Sequence, residues 1–143
     1  MLIAMDSSVM DRFERILRNI PILSEQEENA LVEIIKSGTH FCKLPSNVEY
    51  FQKNKSGFHA EGYLGKCREV DDQSIKKRMT ELIDPDEVLE DLEDEYKFLA
   101  EAEESGVEVI LTTLGNFIND LAKKTNKVKI MKPTDYVRKY LRG

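Results

Sequence analysis

The chain alternates between short apolar runs and segments with helical spacing, and this alternation restricts its fold more than any other feature. Strands are predicted over 107–112 and 128–131, and each is followed by a helix, over 116–124 and 134–141 respectively. Strand–helix alternation is typical of parallel strands joined by crossover helices. We therefore expect one α/β domain over residues 1–143, a three-layer α/β/α arrangement with a central, mostly parallel sheet.

The first half of the chain shows a similar alternation of predicted strands and helices. Residues 2–5 form a short apolar strand that ends at Asp6, and the next segment, 7–20, has apolar residues at helical spacing. Further elements are predicted in this order: a helix opened by a Ser24–Glu27 capping box and ended by Gly38, a strand over 39–44, and a helix from Pro45 through Phe51. Residues 54–75 contain three glycines without a clean period and are predicted to be an irregular loop, before a short helix over 74–82.

The helix predicted over 85–105 has acidic residues in an unexpected place. Asp84 and Pro85 predict its start and Gly106 its end. On a helical wheel, the apolar residues fill one arc, and Asp91 and Glu95 lie inside that arc, one turn apart. Two like charges at this spacing repel each other, and burying an unpaired carboxylate costs several kcal/mol. A bound cation would compensate both the repulsion and the cost of burial. Alternatively, Asp91 and Glu95 lie at the edge of the apolar arc, in contact with water.

Charge is distributed unevenly along the chain. The net charge is −6, but residues 81–108 contain 13 acidic residues and a single basic one, Lys97. Residues 109–143 contain eight basic and two acidic residues. Net charge therefore gives no general support for nucleic-acid binding, although its distribution allows binding locally.

Two further acidic residues are candidates for the same site. Asp6 follows the first strand, where open α/β sheets place their ligands, although it is also a good helix N-cap. Glu49 follows Ser46 at capping-box spacing, and from that spacing alone the cap is favoured. Hard carboxylate oxygens suit Mg²⁺ or Mn²⁺.

Four segments together resemble the PIN-domain family of metal-dependent nucleases. The opening Asp6-Ser-Ser-Val9 is similar to the family's "D-[ST]-[SN]-V", and the segment 45–51 to its "P-x-x-V-x-E-[LF]". Residues 95–112 are similar to the family's acidic residue, alanine-bearing helix, glycine and "ILVT" strand, and 128–141 to its terminal strand, proline and helix.

The resemblance implies a PIN-like fold with Asp6, Glu49, Asp91 and Glu95 as catalytic carboxylates that hold Mg²⁺ or Mn²⁺. After "ILVT" the family continues "N-D-x-D-F". The matching residues of this chain, 113–117, contain no carboxylate. Asn116 offers an amide oxygen and Asp120 lies one turn onward, so both are candidate metal ligands in place of the missing fourth acid.

The function implied is a divalent-metal-dependent endoribonuclease of the toxin or RNA-processing type, weakened by the missing acid. Its substrate would be single-stranded RNA, and its partners would include an antitoxin-like or other protein, or a second copy of the chain. Basic residues near the cleft would attract RNA. The candidates are Lys53, Lys55, Lys66, Arg68, Lys76, Lys77 and Arg78.

Two alternatives stay open at this point. One is a catalytically inactive PIN-like module that binds RNA or protein, and the other is an acidic α/β domain whose helix 85–105 docks a basic partner. The chain has no apolar run long enough to span a bilayer and no signal-peptide pattern. Its two cysteines make no disulfide framework, so we expect a cytoplasmic protein with reduced thiols.

Overall fold

The computed structural model describes residues 2–18, 25–53, 62–66, 68–83 and 93–142. The strands are β1 (Ile3–Met5), β2 (Phe41–Lys43), β3 (Leu64–Lys66), β4 (Val109–Leu111) and β5 (Lys129–Met131). The α-helices are α1 (Ser7–Leu17), α2 (Glu25–Lys36), α3 (Pro45–Lys53), α4 (Asp72–Leu82), α5 (Glu93–Glu104), α6 (Gly115–Asn119) and α7 (Pro133–Tyr136). A 3₁₀ turn, Leu121–Lys124, follows α6, and a π-helical turn, Val137–Leu141, follows α7.

The five strands form one sheet in the order β3-β2-β1-β4-β5, and every pair is parallel. Ile3 of the central strand β1 is in register with Phe41 on one side and with Val109 on the other. The chain extends outward from β1 through β2 to β3, and then returns to place β4 beside β1. The carboxyl ends of β1 and β4 therefore meet at the topological switch point, where open α/β sheets bind their ligands.

Helices cover both faces of the sheet, which confirms the predicted three-layer α/β/α arrangement. Alternation along β1 directs Ile3 and Met5 to one face and Ala4 to the other. On the first face the sheet packs against apolar residues of α1, α2 and the C-terminal helical turns, and on the second against those of α4, α5 and α6. The two layers of core leave the central strand fully buried.

The sequence predicted the order of these elements better than their limits. The segment predicted to be an irregular loop, 54–75, contains β3 and the start of α4, so that prediction was wrong for those residues. Three residues of strand with a glycine at the centre are too short to show a period. The predicted start of the helix over 85–105 lies outside the described residues, whereas its end at Gly106 is observed, with φ of +78°.

Cysteine chemistry also differs from the expectation. Cys42, which is buried on β2, takes part in a disulfide bond, whereas we expected reduced thiols. Spacing in sequence does not reveal whether two cysteines approach each other, because pairing depends on geometry that the fold supplies. Among the described helices, none has the length and apolar character that crossing a bilayer requires.

Carboxylates from distant helices cap the first turns of α3 and α7. Both oxygens of Glu101 on α5 accept hydrogen bonds from Ser46, one from its backbone N–H at 2.9 Å and one from its hydroxyl at 2.8 Å. Both oxygens of Glu27 on α2 accept the same two bonds from Thr134 in α7, each at 3.0 Å. In both cases the donor follows a proline at the start of the helix.

The long-range cap on α3 takes the place of a capping box that the sequence predicted. The Ser46–Glu49 box is not formed, because Ser46 donates to Glu101 and Glu49 accepts from Lys97. Glu27 caps α7, and its predicted partner Ser24 lies outside the described residues. A carboxylate at a helix N-terminus satisfies orphan N–H groups and interacts favourably with the helix dipole, whichever element supplies it.

We expect Glu101→Ala to lower the free energy of unfolding by about 1–3 kcal/mol, because it leaves two donors of Ser46 without an acceptor. Urea unfolding followed by circular dichroism measures this. Glu104→Ala is the matched control, because Glu104 lies in the last turn of the same helix and is only half-buried. Equal losses in both variants would contradict the capping role of Glu101.

Glu101→Gln should keep the backbone cap and remove the buried charge. Burial raises the pKa of the Glu101 carboxyl above its ordinary value of 4.5, although the bonds from Ser46 oppose that rise. A raised pKa in the folded state makes the wild type lose stability as pH rises above 4.5 toward the folded-state pKa. Glu101→Gln should therefore gain stability relative to the wild type over that pH interval, and a constant difference between them would contradict this.

Candidate functional site

A cleft of about 170 Å³ lies beside the carboxyl end of β1. Its acidic lining residues come from three parts of the chain: Asp6 directly after β1, Glu49 on α3, and Asp94 and Glu95 in the first turn of α5. Met10, Phe98 and Phe117 supply apolar walls, and Lys53 contributes a cation. The structure thus brings Asp6, Glu49 and Glu95 together around one cleft at the switch point of the sheet.

Asp6 is held rigidly by hydrogen bonds. Its Oδ1 accepts from the hydroxyl of Ser8 at 2.6 Å and from the backbone N–H of Val9 at 3.1 Å, so Asp6 is the N-cap of α1. Its Oδ2 accepts from the hydroxyl of Thr112 at the end of β4. The side chain is therefore a helix cap and a candidate site residue at once, and the two interpretations do not exclude each other.

The same network joins the two loops at the switch point. The hydroxyl of Ser8 accepts from the backbone N–H of Thr113 at 3.1 Å, and that of Thr112 accepts from Leu114 at 3.0 Å. Asp6 is only 4% exposed, and burial raises the pKa of its carboxyl although the bonds from Ser8, Thr112 and Val9 oppose that rise. A buried carboxylate held in one orientation is the kind of group that suits a preorganised site.

Glu49 has a different partner. Its Oε1 accepts from Nζ of Lys97 on α5 at 2.8 Å. The bond from Lys97 holds the pKa of Glu49 below its ordinary value, and Glu49 in turn raises the pKa of Lys97. Glu49 also lines a second cavity of about 540 Å³, which Lys97 lines as well.

The remaining predicted site residues fall in three places. Glu95 is half-buried in the cleft wall, whereas Asp91 lies outside the described residues. Asn116 is half-buried in the first turn of α6, and Asp120 is exposed at the end of that helix. Neither Asn116 nor Asp120 is among the residues that line the cleft.

The described residues contain no group of three or more Asp, Glu, His or Cys side chains that would hold a metal ion directly. The acidic residues therefore line a common cleft without converging on one point within that part of the chain. Asp91 belongs to the proposed set and is not among these residues. The ligand assignments accordingly stay predictions.

The two most deeply buried carboxylates of α5, Glu101 and Glu103, were not predicted from the sequence. At about 100° per residue Glu101 lies opposite the apolar arc, where a charged residue is expected to be exposed, but it is fully buried and accepts two bonds from Ser46 of α3. Glu103 accepts hydrogen bonds from Arg78 and Thr125, which hold its pKa below the ordinary value although burial alone would raise it. At about 100° per residue Glu103 falls inside the apolar arc, so the wheel did contain this signal.

The predicted basic residues do not act as one group. Arg78 is bonded to Glu103 and Glu81 and has a structural role joining α4 to α5. Lys53 lines the cleft itself, and Lys76 lines the second cavity. Arg68 and Lys77 are exposed, whereas Lys55 and the side chain of Lys66 lie outside what the structure describes.

Comparison with models of known protein families, with curated proteins and with solved structures finds no match to this chain. The resemblance to PIN domains therefore depends on the four sequence segments described above.

We expect Asp6→Asn to fold with a stability near that of the wild type, because an amide keeps the oxygen that caps Val9 and buries no charge. Asp6→Ala should lower the free energy of unfolding by about 1–3 kcal/mol, since three donors lose their acceptor. Thermal and urea unfolding measure both changes.

Asp71→Ala is the control for this comparison. Asp71 caps α4 in the same way, accepting from the N–H of Gln73 at 2.8 Å, but it is exposed. Its removal should cost less than that of Asp6, because water replaces the lost acceptor. A larger loss for Asp71→Ala than for Asp6→Ala would contradict the idea that the buried network secures the switch point.

Proposed function

We propose that this protein is a PIN-like ribonuclease that depends on Mg²⁺ or Mn²⁺. The observation that carries the proposal is the cleft at the switch point, where Asp6, Glu49 and Glu95 from three separate elements line one cavity. These are three of the four carboxylates that the resemblance selects. Asp94 adds a further carboxylate to the same wall.

The chemistry of the side chains fits a hard divalent cation. Carboxylate oxygens are the ligands that Mg²⁺ and Mn²⁺ prefer, and a concentration of negative charge in a partly buried cleft favours a cation. Asp6, Glu95 and Asp94 would hold the ion, together with Asp91 and Glu49. When bound, such an ion lowers the pKa of a water molecule and stabilises negative charge on a phosphate.

Residues of the chain would orient the other components. Ser8, Val9 and Thr112 fix the direction of the Asp6 carboxylate before any ligand arrives. Lys53 at the cleft provides a positive charge for an RNA phosphate. Phe98 and Phe117, whose rings meet edge to face, form an apolar wall beside these polar groups.

A specific observation also favours an inactive PIN-like module that binds RNA or a protein. Three hydrogen bonds already occupy the carboxylate of Asp6, and an ammonium group already neutralises Glu49. Both contacts compete with a metal ion for the same oxygens. In that case RNA binding would persist without metal-dependent cleavage.

We expect the wild type to bind Mn²⁺ in a calorimetric titration, and Asp6→Asn to weaken that binding by at least the ~10–100-fold that loss of an outer-shell partner of a metal ligand typically costs, because it removes the charge of a proposed direct ligand. Glu104→Gln removes a similar charge away from the cleft and should leave binding unchanged. The same proteins should cleave unstructured RNA on a gel in proportion to their Mn²⁺ occupancy. Binding that is equal in the wild type and Asp6→Asn would contradict the site.

The missing fourth acid gives a second test. Asp94 lines the cleft and Asn116 does not, so Asp94→Asn should weaken Mn²⁺ binding, while Asn116→Asp should leave both affinity and cleavage rate unchanged. An increase in both quantities for Asn116→Asp would show that residue 116 reaches the ion and would contradict this assignment. Asp120→Asn is the control and should leave Mn²⁺ binding unchanged, because Asp120 directly follows α6, is exposed and does not line the cleft.

A further inference from the structure

Lys97 is an isolated basic residue within a strongly acidic part of the sequence. It is the only basic residue between 81 and 108, a segment that contains 13 acidic ones. Its Nζ donates to Oε1 of Glu49 at 2.8 Å, which joins α5 to α3. The side chains of Lys97 and Glu49 are 34% and 51% exposed, so water and ions reach the pair.

The pair lies at the boundary between the two cavities. Glu49 lines both of them, and Lys97 approaches it from the larger one. A cation entering the smaller cleft would therefore meet a carboxylate that already has an ammonium group on one oxygen. Replacing that ammonium by a metal ion would require the Lys97–Glu49 bond to break.

We propose that Lys97 is a built-in competitor of the divalent ion for Glu49 and sets the affinity of the cleft for metal. This inference rests on the proposed function. The lysine neutralises Glu49 when no metal is present, and it leaves Glu49 when an ion is coordinated. Its effect on affinity is limited by the modest strength of a partly exposed ion pair.

The test uses the full chain and Mn²⁺ alone, titrated in a calorimeter at constant pH and ionic strength. Lys97→Gln should tighten binding about two- to fivefold, which corresponds to the strength of a partly exposed ion pair. Lys97→Arg keeps the charge and should bind Mn²⁺ no more tightly than the wild type.

Lys53→Gln is the matched control. Lys53 lies one helical turn from Glu49 and also lines the cleft, but its charge acts on Glu49 only through space. Lys53→Gln removes one unit of positive charge, as Lys97→Gln does, but it leaves the Lys97–Glu49 ion pair intact. Screening by salt limits the effect of that charge on metal affinity. If Lys97→Gln tightens Mn²⁺ binding more than Lys53→Gln does, the difference therefore measures competition for Glu49 rather than a general change in charge.

A double-mutant cycle with Glu49→Gln completes the test. If Lys97 competes for Glu49, then once Glu49→Gln has removed the carboxylate, Lys97→Gln should change Mn²⁺ affinity no more than Lys53→Gln does. Equal affinities for Lys97→Gln and Lys53→Gln, or an undiminished effect in the Glu49→Gln background, would overturn this inference while leaving the metal site intact. If no variant binds Mn²⁺, the proposed metal-dependent function itself fails.

Discussion

The buried carboxylate of Asp6 joins three parts of the chain at the point where the sheet changes direction. It ends the central strand, caps α1 through Val9, and accepts a bond from Thr112 at the end of β4. The chain leaves β1 toward β2 and β3 and later returns to β4, whose pairing with β1 ends at Met5 and Leu111, so the loops beyond these residues need a further link. The network of Asp6 provides that link, and the cleft is formed beside it.

A second constraint acts on the helices that surround the sheet. Helices α3 and α7 both begin with a proline followed by a hydroxyl residue, and both receive a carboxylate from a helix remote in sequence. Glu101 fixes the start of α3, and with it Glu49, relative to α5, which contributes Glu95. The two walls of the cleft are thus aligned by a bond whose partners are 55 residues apart.

Sequence reasoning was successful where a local pattern decides the structure. The apolar runs identified β1, β2, β4 and β5, and Gly38 and Gly106 mark helix ends with positive φ because glycine adopts that conformation without a steric cost. It failed for β3, which has no period to recognise. The position of Asp6 after a strand predicted its place at the sheet edge, since that requires only the strand direction.

The sequence by itself determined the α/β class, the parallel sheet and the presence of excess carboxylates, because periodicity and composition are local properties. Only the tertiary structure decided which carboxylates are buried and what they bind. Glu101 lies on a face that the wheel assigns to solvent, yet it is fully buried and bonded to Ser46 of α3, and Glu49 contacts Lys97 instead of its own helix. The physical reason is that a helix has one periodicity but several neighbours, and the neighbours decide whether a charge meets water, a cation or an uncapped helix end.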